Sequence, residues 1–447
     1  MAKPTIERAP ALATGNLDSR AFEQYMLTHG ITDADGRYLH WHKLKWRLEP
    51  RKDAQAIWQV IKLQRLSQSQ QLELLGQDVK RFTFCVPHSM EAKLYQITQL
   101  TNGPARTMGG ETASKGVQTQ FLVASLIMEE AITSAQLEGA ATTRVVAKHM
   151  LECGRDPQNE DERMILNNYL LLKHAEQKCS DNLSIDLILD FHRIATQSTT
   201  ENNVTPGELR AANDIFVQDK SGEIAYQPPS YEQLPARLAA LCQFANSNHS
   251  GSHNTVFIHP VIKAIILHFM MGYEHPFRDG NGRTARALFY WFMLKSGYAL
   301  FKYISISKLL KNDPKEYGLS YMYTETDEND LTYFIDYQLD IILQAIDELK
   351  TYLNRRTEEF KQVLELLESS VLATKLNFQQ KDIIKKAIKS PGRLFTVAEI
   401  SSDYGISKNT ARNYLNVLSQ YKLLIESKDK KTALFIVPND LKRRLGL

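Results

Sequence analysis

The sequence predicts a mainly α-helical protein with one small β-hairpin in its central domain and a mixed α/β unit at its C-terminal end. The 447 residues suffice for two or three domains of ordinary size. With 43% hydrophobic and 23% charged residues, the composition is that of a folded globular protein. Most segments between residues 115 and 350 place apolar side chains at helical spacing.

Charge, cysteine content and apolar run length exclude several classes of protein. The 54 basic and 51 acidic residues leave a net charge of +3, so no overall field favours nucleic acid or an anionic membrane. Four scattered cysteines without a CxxC pair argue against a disulfide framework or a zinc site. The first residues lack an apolar signal segment, and the longest apolar run, ALFYWFML (287–294), is too short to cross a bilayer. We therefore expect a cytoplasmic protein with no membrane partner.

Residues 1–110 are predicted to form a small helical module. They contain the aromatic cluster YLHWHKLKW (38–46), and then AIWQVIKLQRLSQSQQLELL (56–75) shows helical spacing. Neither segment points to a particular chemistry.

Residues 111–350 are predicted to form a helical domain that carries a β-hairpin. The helical segments are FLVASLIMEEAITSAQL, RMILNNYLLLKHAEQ, IDLILDFHRIATQ, LPARLAALCQFAN, VIKAIILHFMMGY, ARALFYWFMLKSG and YFIDYQLDIILQAIDEL. By contrast, DIFVQDKSGEIAYQPP (214–229) alternates apolar and polar residues around a Lys-Ser-Gly turn, which is typical of a hairpin.

The segment HPFRDGNGRTAR (275–286) joins two of these helices and has the composition of an anion site. Gly280, Asn281 and Gly282 can adopt positive φ and turn backbone N–H groups inward, and the second helix adds its free N-terminal donors. Arg283 and Arg286 supply cationic forks that suit phosphate oxygens.

Two further residues of this segment predict phosphoryl-group chemistry. Asp279 could hold Mg²⁺ that bridges phosphate oxygens. His275, with an ordinary imidazole pKa of about 6.5, could take a proton from an incoming hydroxyl. The alternative is an interhelical turn with a capping aspartate and surface arginines, but all these residue types together favour the chemical interpretation.

HPFRDGNGRTAR resembles the HxFx(D/E)GNGRxxR signature of the Fic family (filamentation induced by cyclic AMP) at every specified position. The resemblance implies a helical Fic core and transfer of AMP from ATP, with Mg²⁺, onto a protein hydroxyl. It makes His275 the base, Asp279 the Mg²⁺ ligand, Asn281, Gly282 and Arg283 the α- and β-phosphate binders, and Arg286 the γ-phosphate contact. In the related Doc toxins a lysine replaces the glycine at position 282, and the reaction is phosphorylation.

Upstream, TSAQLEGA (133–140) places Ser134, Glu138 and Gly139 in the (S/T)xxxE(G/N) pattern of an inhibitory motif found in many Fic proteins. Taken alone, these residues are equally compatible with a helix that ends at a glycine. The resemblance implies that Glu138 pairs with Arg286 and blocks the γ-phosphate, so that the enzyme is autoinhibited. In some family members the same glutamate also supports removal of AMP.

The hairpin lies at the place of the target-binding flap of Fic proteins, so the resemblance implies that it holds a target segment; the alternative is a structural hairpin that covers the core. It follows PGELR (206–210), and the flap residues would be Ile215, Phe216, Val217, Ile224, Ala225 and Tyr226. The implied partners are ATP, a target protein with a Ser, Thr or Tyr hydroxyl, the chain itself as a target, and a second copy in a homodimer.

Residues 351–385 are predicted as a charged helical connector, and residues 386–447 resemble a winged helix-turn-helix. Two short helices would flank Tyr404-Gly405-Ile406, with Ser407 capping the second, and two strands would follow in LLIESKDKKTALFIV (423–437). The residues expected to face DNA are Lys408, Asn409, Arg412 and Asn413, with Lys428, Lys430 and Lys431 near phosphates. Winged helices also dock proteins or dimerise, and both alternatives stay open.

Two other functions are compatible with the sequence. One is a DNA-binding regulator whose Fic core senses a nucleotide without turnover, although the intact His275 argues against it. The other is a related transferase with a different nucleotide donor, such as UTP or GTP.

Overall fold

The computed structural model describes residues 6–13, 19–101, 128–199, 204–218, 224–252, 255–369, 375–389, 392–429, 432–438 and 440–445. The chain divides into two compact units. The first contains the described residues up to Thr101 and from residue 128 to Asp347, and the second contains those from Glu348 onward.

The described part of the chain is mainly helical, as predicted, with few strands. In the first unit lie helices α1 (Ser19–Thr28), α2 (Trp41–Leu44), α3 (Ala54–Gln68), α4 (His88–Thr101), α5 (128–137), α6 (Arg144–Cys153), α7 (Glu160–Gln177), α8 (Ile185–Thr196), α9 (Leu234–Asn246), α10 (Pro260–Glu274), α11 (Asn281–Lys295), α12 (Ile306–Asn312), α13 (Pro314–Thr326) and the start of α14 (Thr332–Ser369). Its hairpins are β1 (Gln70–Leu75) with β2 (Arg81–Phe84) and β3 (Val217–Gln218) with β4 (Ile224–Tyr226).

Helices α10 and α11 form the centre of the first unit. Nearly every residue of α10 is buried, and α11 packs against α7, α8 and α10. A helix that is apolar on all sides must lie inside the fold. The loop between these two helices therefore starts and ends in rigid, fully packed elements.

The N-terminal region contains a β-hairpin that the sequence analysis missed. Helix α3 ends at Gln68, and β1 then pairs antiparallel with β2, with Gln70 opposite Phe84. In β1, Leu72 and Leu74 are buried while their neighbours are exposed, which is the period of a strand. The helical spacing expected through residues 56–75 is wrong for its last six residues, because QQLELL alternates buried and exposed side chains as a strand directly after the helix.

Buried charges attach the N-terminal region to the connection between α13 and α14. Lys62 forms an ion pair with Asp327, and both side chains are buried. Arg65 Nη1 donates to Tyr333 Oη at 2.9 Å. Buried charges persist only with such partners. The boundary expected near residue 110 stays a prediction, since residues 102–127 lie outside the described part.

The second unit contains a three-stranded antiparallel sheet among short helices. Its elements are the remainder of α14, then α15 (Phe378–Lys389), β5 (Leu394–Thr396), α16 (Val397–Tyr404), α17 (Lys408–Gln420), β6 (Ile425–Asp429), β7 (Thr432–Ile436) and α18 (Leu441–Arg444), with strand order β5–β7–β6. Ser407 caps α17 by accepting from the Thr410 N–H at 3.1 Å, as predicted. Within the described residues, no helix has the length and apolar character needed to cross a membrane.

Candidate active site

The loop from His275 to Gly280 joins α10 to α11 through two residues with positive φ. His275 ends α10 with φ 43°, and its N–H donates to the Met271 carbonyl at 3.3 Å. Gly280 precedes α11 with φ 78°, and a Cβ atom there would lie 2.8 Å from Thr196 Cγ2. Both conformation and space therefore require glycine at position 280.

The His275 side chain is held in one tautomer and orientation. Its Nδ1–H donates a hydrogen bond to the Gly272 carbonyl at 3.3 Å, which leaves Nε2 of the neutral ring as an acceptor. Burial is the largest influence on the imidazole and lowers its pKa. Arg210 fixes the main chain at this point, because its Nε donates to the His275 carbonyl at 3.0 Å.

The side chain of Asn281 braces the loop. Its Oδ1 accepts from the Phe277 N–H at 3.0 Å, and its Nδ2 donates to the Phe277 carbonyl at 2.8 Å. The amide is thus engaged with the loop backbone. At this position an anion would meet the N–H groups of the α11 N-terminus.

Arg283 lies buried under the loop. Its Nη1 donates to the Ala195 carbonyl at 2.8 Å, and its Nη2 lies 3.4 Å from Asp279 Oδ1. Its Nε is buried and has no hydrogen-bond partner within the described part of the chain. The guanidinium therefore supplies a fixed positive charge and one unused donor beneath the α11 N-terminus.

Asp279 is compatible with a Mg²⁺ ion carried by a nucleotide. Its carboxylate is partly exposed and accepts from the Gly280 N–H. Among the described residues, no group of three or more His, Cys, Asp or Glu side chains could hold a metal ion. One carboxylate suits Mg²⁺ because this ion keeps several waters and shares its remaining positions with phosphate oxygens.

Arg286 is bound by the two polar residues of the upstream motif. Its Nη2 donates to Glu138 Oε1 at 2.8 Å, and its Nε donates to Ser134 Oγ at 2.8 Å. The arginine is 1% exposed, whereas the Glu138 side chain is 25% exposed. Burial disfavours the guanidinium charge, but the nearby Glu138 carboxylate outweighs this and raises the pKa of Arg286.

The Glu138 carboxylate lies over the first turn of α11. A Cβ atom at Gly282 would overlap it. Gly139, with φ 109°, follows Glu138 in the turn directly after α5. The structure thus brings together Ser134, Glu138, Gly282 and Arg286, although the first and last lie 152 positions apart in the chain.

Glu130 anchors α5, the helix directly before Glu138, and no pattern in the sequence identifies it. Its carboxylate accepts from Ser305 Oγ at 2.8 Å and from the Ser307 N–H at 3.1 Å. Burial raises its pKa, against the effect of these hydrogen bonds. Glu130 therefore fixes α5, and Glu138, in the turn after α5, reaches Arg286 of α11.

The predicted flap is a short hairpin whose base is held by hydrogen bonds. Val217 pairs with Tyr226, and Ile215 and Phe216 precede the first strand. Ile224 and Ala225 lie in the second strand, and the Lys-Ser-Gly turn lies outside the described residues. Tyr226 Oη donates to the Tyr273 carbonyl at 2.8 Å, two residues before His275.

Gln77, in the turn of the missed β1–β2 hairpin, also holds the flap. Its Nε2 donates to Tyr226 Oη at 3.1 Å and to the Gln227 carbonyl at 2.7 Å, and its N–H donates to Tyr273 Oη. No local pattern could have identified it, since the contact joins residues 149 positions apart.

His192 is a second residue that the sequence did not single out. Its Nδ1 accepts from the Gly207 N–H at 3.0 Å, so its proton lies on Nε2, which donates to the Asp279 carbonyl at 3.0 Å. Its ring stacks on Phe277 with centroids 3.7 Å apart. Burial lowers its pKa to about 4, so the ring is neutral at pH 7.

The residues proposed from sequence to contact DNA belong to the second unit. Lys408, Asn409, Arg412 and Asn413 are exposed on α17. Lys430 and Lys431 lie outside the described residues.

Comparison with known proteins finds similarity over the part of the chain that contains this loop. Residues 182–293 match the sequence model of the Fic/DOC family. Protein adenylyltransferase Fic of Drosophila virilis is 31% identical over 170 residues, which is 37% of this chain and 32% of the relative. The Drosophila melanogaster protein of the same name is 29% identical with the same coverage. The chain spans about a third of the length of these relatives.

A crystal structure of a Fic family protein from Desulfovibrio desulfuricans superposes with a TM-score of 0.48 at 16% identity, over 78% of this chain and 95% of that one. The helices around the loop that begins at His275 lie within residues 182–293, the part of the chain that is similar to the Fic/DOC family.

Proposed function

We propose that this protein is an autoinhibited adenylyltransferase, which transfers AMP from ATP to a Ser, Thr or Tyr hydroxyl of a target protein. The observation that carries the proposal is the Glu138 carboxylate bound to Arg286 above Gly282, on the helix that follows the loop beginning at His275. The relatives named protein adenylyltransferase support this choice of reaction. The same activity extends to modification of the chain itself.

Residues of the loop and of the elements around it have separate roles in the transfer step. The target hydroxyl gives its proton to His275 Nε2 while its oxygen attacks the α-phosphorus, and the bond to the departing pyrophosphate breaks. The N–H groups that begin α11 and the Arg286 fork bind phosphate oxygens. Asn281 and His192 hold the loop in place through Phe277 and Asp279. Asp279 would hold Mg²⁺, which offsets phosphate charge.

The contact between Glu138 and Arg286 inhibits transfer, and we call this contact the brake. A carboxylate that occupies the arginine fork removes the cation that the γ-phosphate needs, and its negative charge repels the nucleotide. ATP would then bind weakly or in a pose that keeps the α-phosphorus from the hydroxyl. Gly139 follows Glu138 with φ 109°, so a change of the turn at this glycine would let the carboxylate withdraw while α5 stays helical. The same carboxylate would support removal of AMP.

The flap would hold the target segment by strand addition. A two-stranded hairpin leaves edges with free backbone groups, and an extended peptide can pair with them. Arg210, Tyr226 and Gln77 fix the base of the hairpin relative to His275. The acceptor hydroxyl would therefore arrive at a set distance from Nε2.

ATP that is labelled at one phosphate at a time tests the proposal. Wild type, Glu138→Gly and Glu138→Gly with His275→Asn are each incubated with host lysate, Mg²⁺ and ATP labelled at either the α- or the γ-phosphate. We expect protein label from the α-phosphate alone, strongest in Glu138→Gly. Label from the γ-phosphate would make the protein a kinase. Absence of both labels in Glu138→Gly would reject AMP transfer and leave another nucleotide donor or a sensor without turnover.

The pH dependence of transfer should follow His275. A base must be neutral to accept a proton, and burial lowers the pKa of His275 below its ordinary value of about 6.5. Transfer by Glu138→Gly should therefore be constant from neutral to mildly alkaline pH and should fall only at acid pH, below that ordinary value. A pH–rate profile under saturating ATP checks this. Loss of activity on the acid side already at neutral pH would contradict the proposed environment of the base.

We also propose that the second unit is a winged helix-turn-helix with a binding role of its own. The order of α15, α16 and α17 before a hairpin of β6 and β7 supports this assignment. Apolar residues of all three helices share one core with Phe395 and Phe435 of the sheet.

A further inference from the structure

We infer that the second unit binds duplex DNA, with the exposed face of α17 in the major groove. This function goes beyond the proposed transfer reaction and does not depend on it. The inference rests on the charge of the unit, the residues of one helix face and the places where the acidic side chains are already paired.

The C-terminal part of the chain is strongly basic, although the whole chain is almost neutral. Residues 375–447 contain 15 Lys and Arg against 6 Asp and Glu, whereas the full chain has 54 against 51. The remaining residues are therefore net acidic. Such an asymmetry within one chain is typical of a segment that meets a polyanion.

Helix α17 separates an apolar face from a cationic and amide face. Ala411, Leu415 and Leu418 are buried in the core of the unit. The opposite face exposes four residues on two successive turns, namely Lys408, Asn409, Arg412 and Asn413. The helix contains no Asp or Glu. Lys and Arg bind the O6 and N7 atoms of guanine, and Asn binds the N6 and N7 atoms of adenine.

Four acidic residues of the C-terminal part, Asp382, Glu399, Asp403 and Asp440, pair with cations that lie outside α17. Asp382 and Asp403 pair with Lys386, and Glu399 pairs with Arg393. Asp440 pairs with Arg443 and Arg444. In the described part of the unit, Lys408 and Arg412 have no such carboxylate partner, so their charge is available to phosphates or bases.

The geometry of α17 fits a DNA groove better than a protein interface. Its 13 residues correspond to a rod about 20 Å long. Gly405, with φ 61°, makes the turn that sets α17 against α16. The exposed face lacks large apolar and aromatic side chains, which form the centre of most protein interfaces. The hairpin that follows carries Lys428, Lys430 and Lys431 in sequence.

Fluorescence anisotropy with the full chain tests this proposal. Labelled duplexes with a randomised centre are titrated over a range of salt concentrations. We expect binding that weakens steeply with salt, because each phosphate contact releases a counterion. The double variant Lys408→Ala with Arg412→Ala should bind about 10- to 100-fold more weakly and with a smaller salt slope. Selection of bound duplexes should return a preferred sequence, which Asn413→Ala should relax.

A charge-matched control separates this face from general charge. Arg47 and Lys52 are exposed in the first unit, and replacing both with alanine removes the same charge. If this control weakens DNA binding as much as the α17 variant, the proposed face is wrong. If the chain does not bind duplex DNA even at low salt, the proposal is wrong, and the second unit is better explained as a protein-docking unit. The result is independent of AMP transfer, since DNA binding requires neither ATP nor His275.

Discussion

Glu138→Gly should raise AMP transfer by about 10- to 100-fold, since a hydrogen bond to a charged group contributes about 1.5–3 kcal/mol. In the resting structure the Glu138 carboxylate bonds to Arg286 and covers Gly282. Glycine at position 138 removes both effects and frees the guanidinium for the γ-phosphate. The increase should appear in initial rates with α-labelled ATP, together with a lower KM for ATP.

Two control variants show whether the carboxylate itself is responsible. Glu138→Gln keeps the size of the side chain but removes its charge, so its rate should fall between wild type and Glu138→Gly. Glu129 lies on α5, directly before the turn that holds Glu138, and pairs with Arg144 instead, so Glu129→Ala should leave the rate close to that of wild type. A rate increase in Glu129→Ala would indicate that loosening of α5, and not release of Arg286, activates the enzyme. An unchanged rate in Glu138→Gly would show that Glu138 does not inhibit the enzyme.

The central helices and the loop were predictable because their signals are local. The apolar run of α10, the glycine at 280 and the cap at Ser407 each act within a few residues, so the sequence alone indicates them. The positive φ expected at Asn281 and Gly282 is wrong, because both residues belong to α11. The β1 strand could not be predicted in this way, because its local signal is too short. Its period of two covers only six residues directly after a long helix.

The remainder of the site depends on contacts that no local pattern contains. Glu138 and Arg286 meet across 148 positions, and only the family resemblance led to that pair. His192 and Gln77 were not identified at all, because a lone histidine on a helix and a glutamine in a turn are common in any fold. Their roles become visible only when backbone groups of Asp279, Gly207 and Gln227 are found to be their partners.

His275→Asn, in the Glu138→Gly background, should lower AMP transfer by about 10²–10⁴-fold, which is the usual contribution of a positioned general base. Asparagine suits this test because His275 has φ 43°, a conformation that Asn tolerates better than Ala. It cannot accept the proton of a hydroxyl at neutral pH. ATP binding should persist, since the N–H groups that begin α11 and the Arg286 guanidinium are unchanged.

A histidine at the other end of α10 provides the matched control. His259 Nδ1 accepts from the Val261 N–H at 3.2 Å and caps the helix, and Asn is among the best residues for that position. His259→Asn should therefore keep both the fold and the transfer rate of the Glu138→Gly parent. If His275→Asn binds ATP normally and also transfers AMP at the parental rate, His275 is not the base. If both substitutions lower the rate equally, the loss comes from α10 as a whole. Only a loss confined to position 275 assigns the proton transfer to its imidazole.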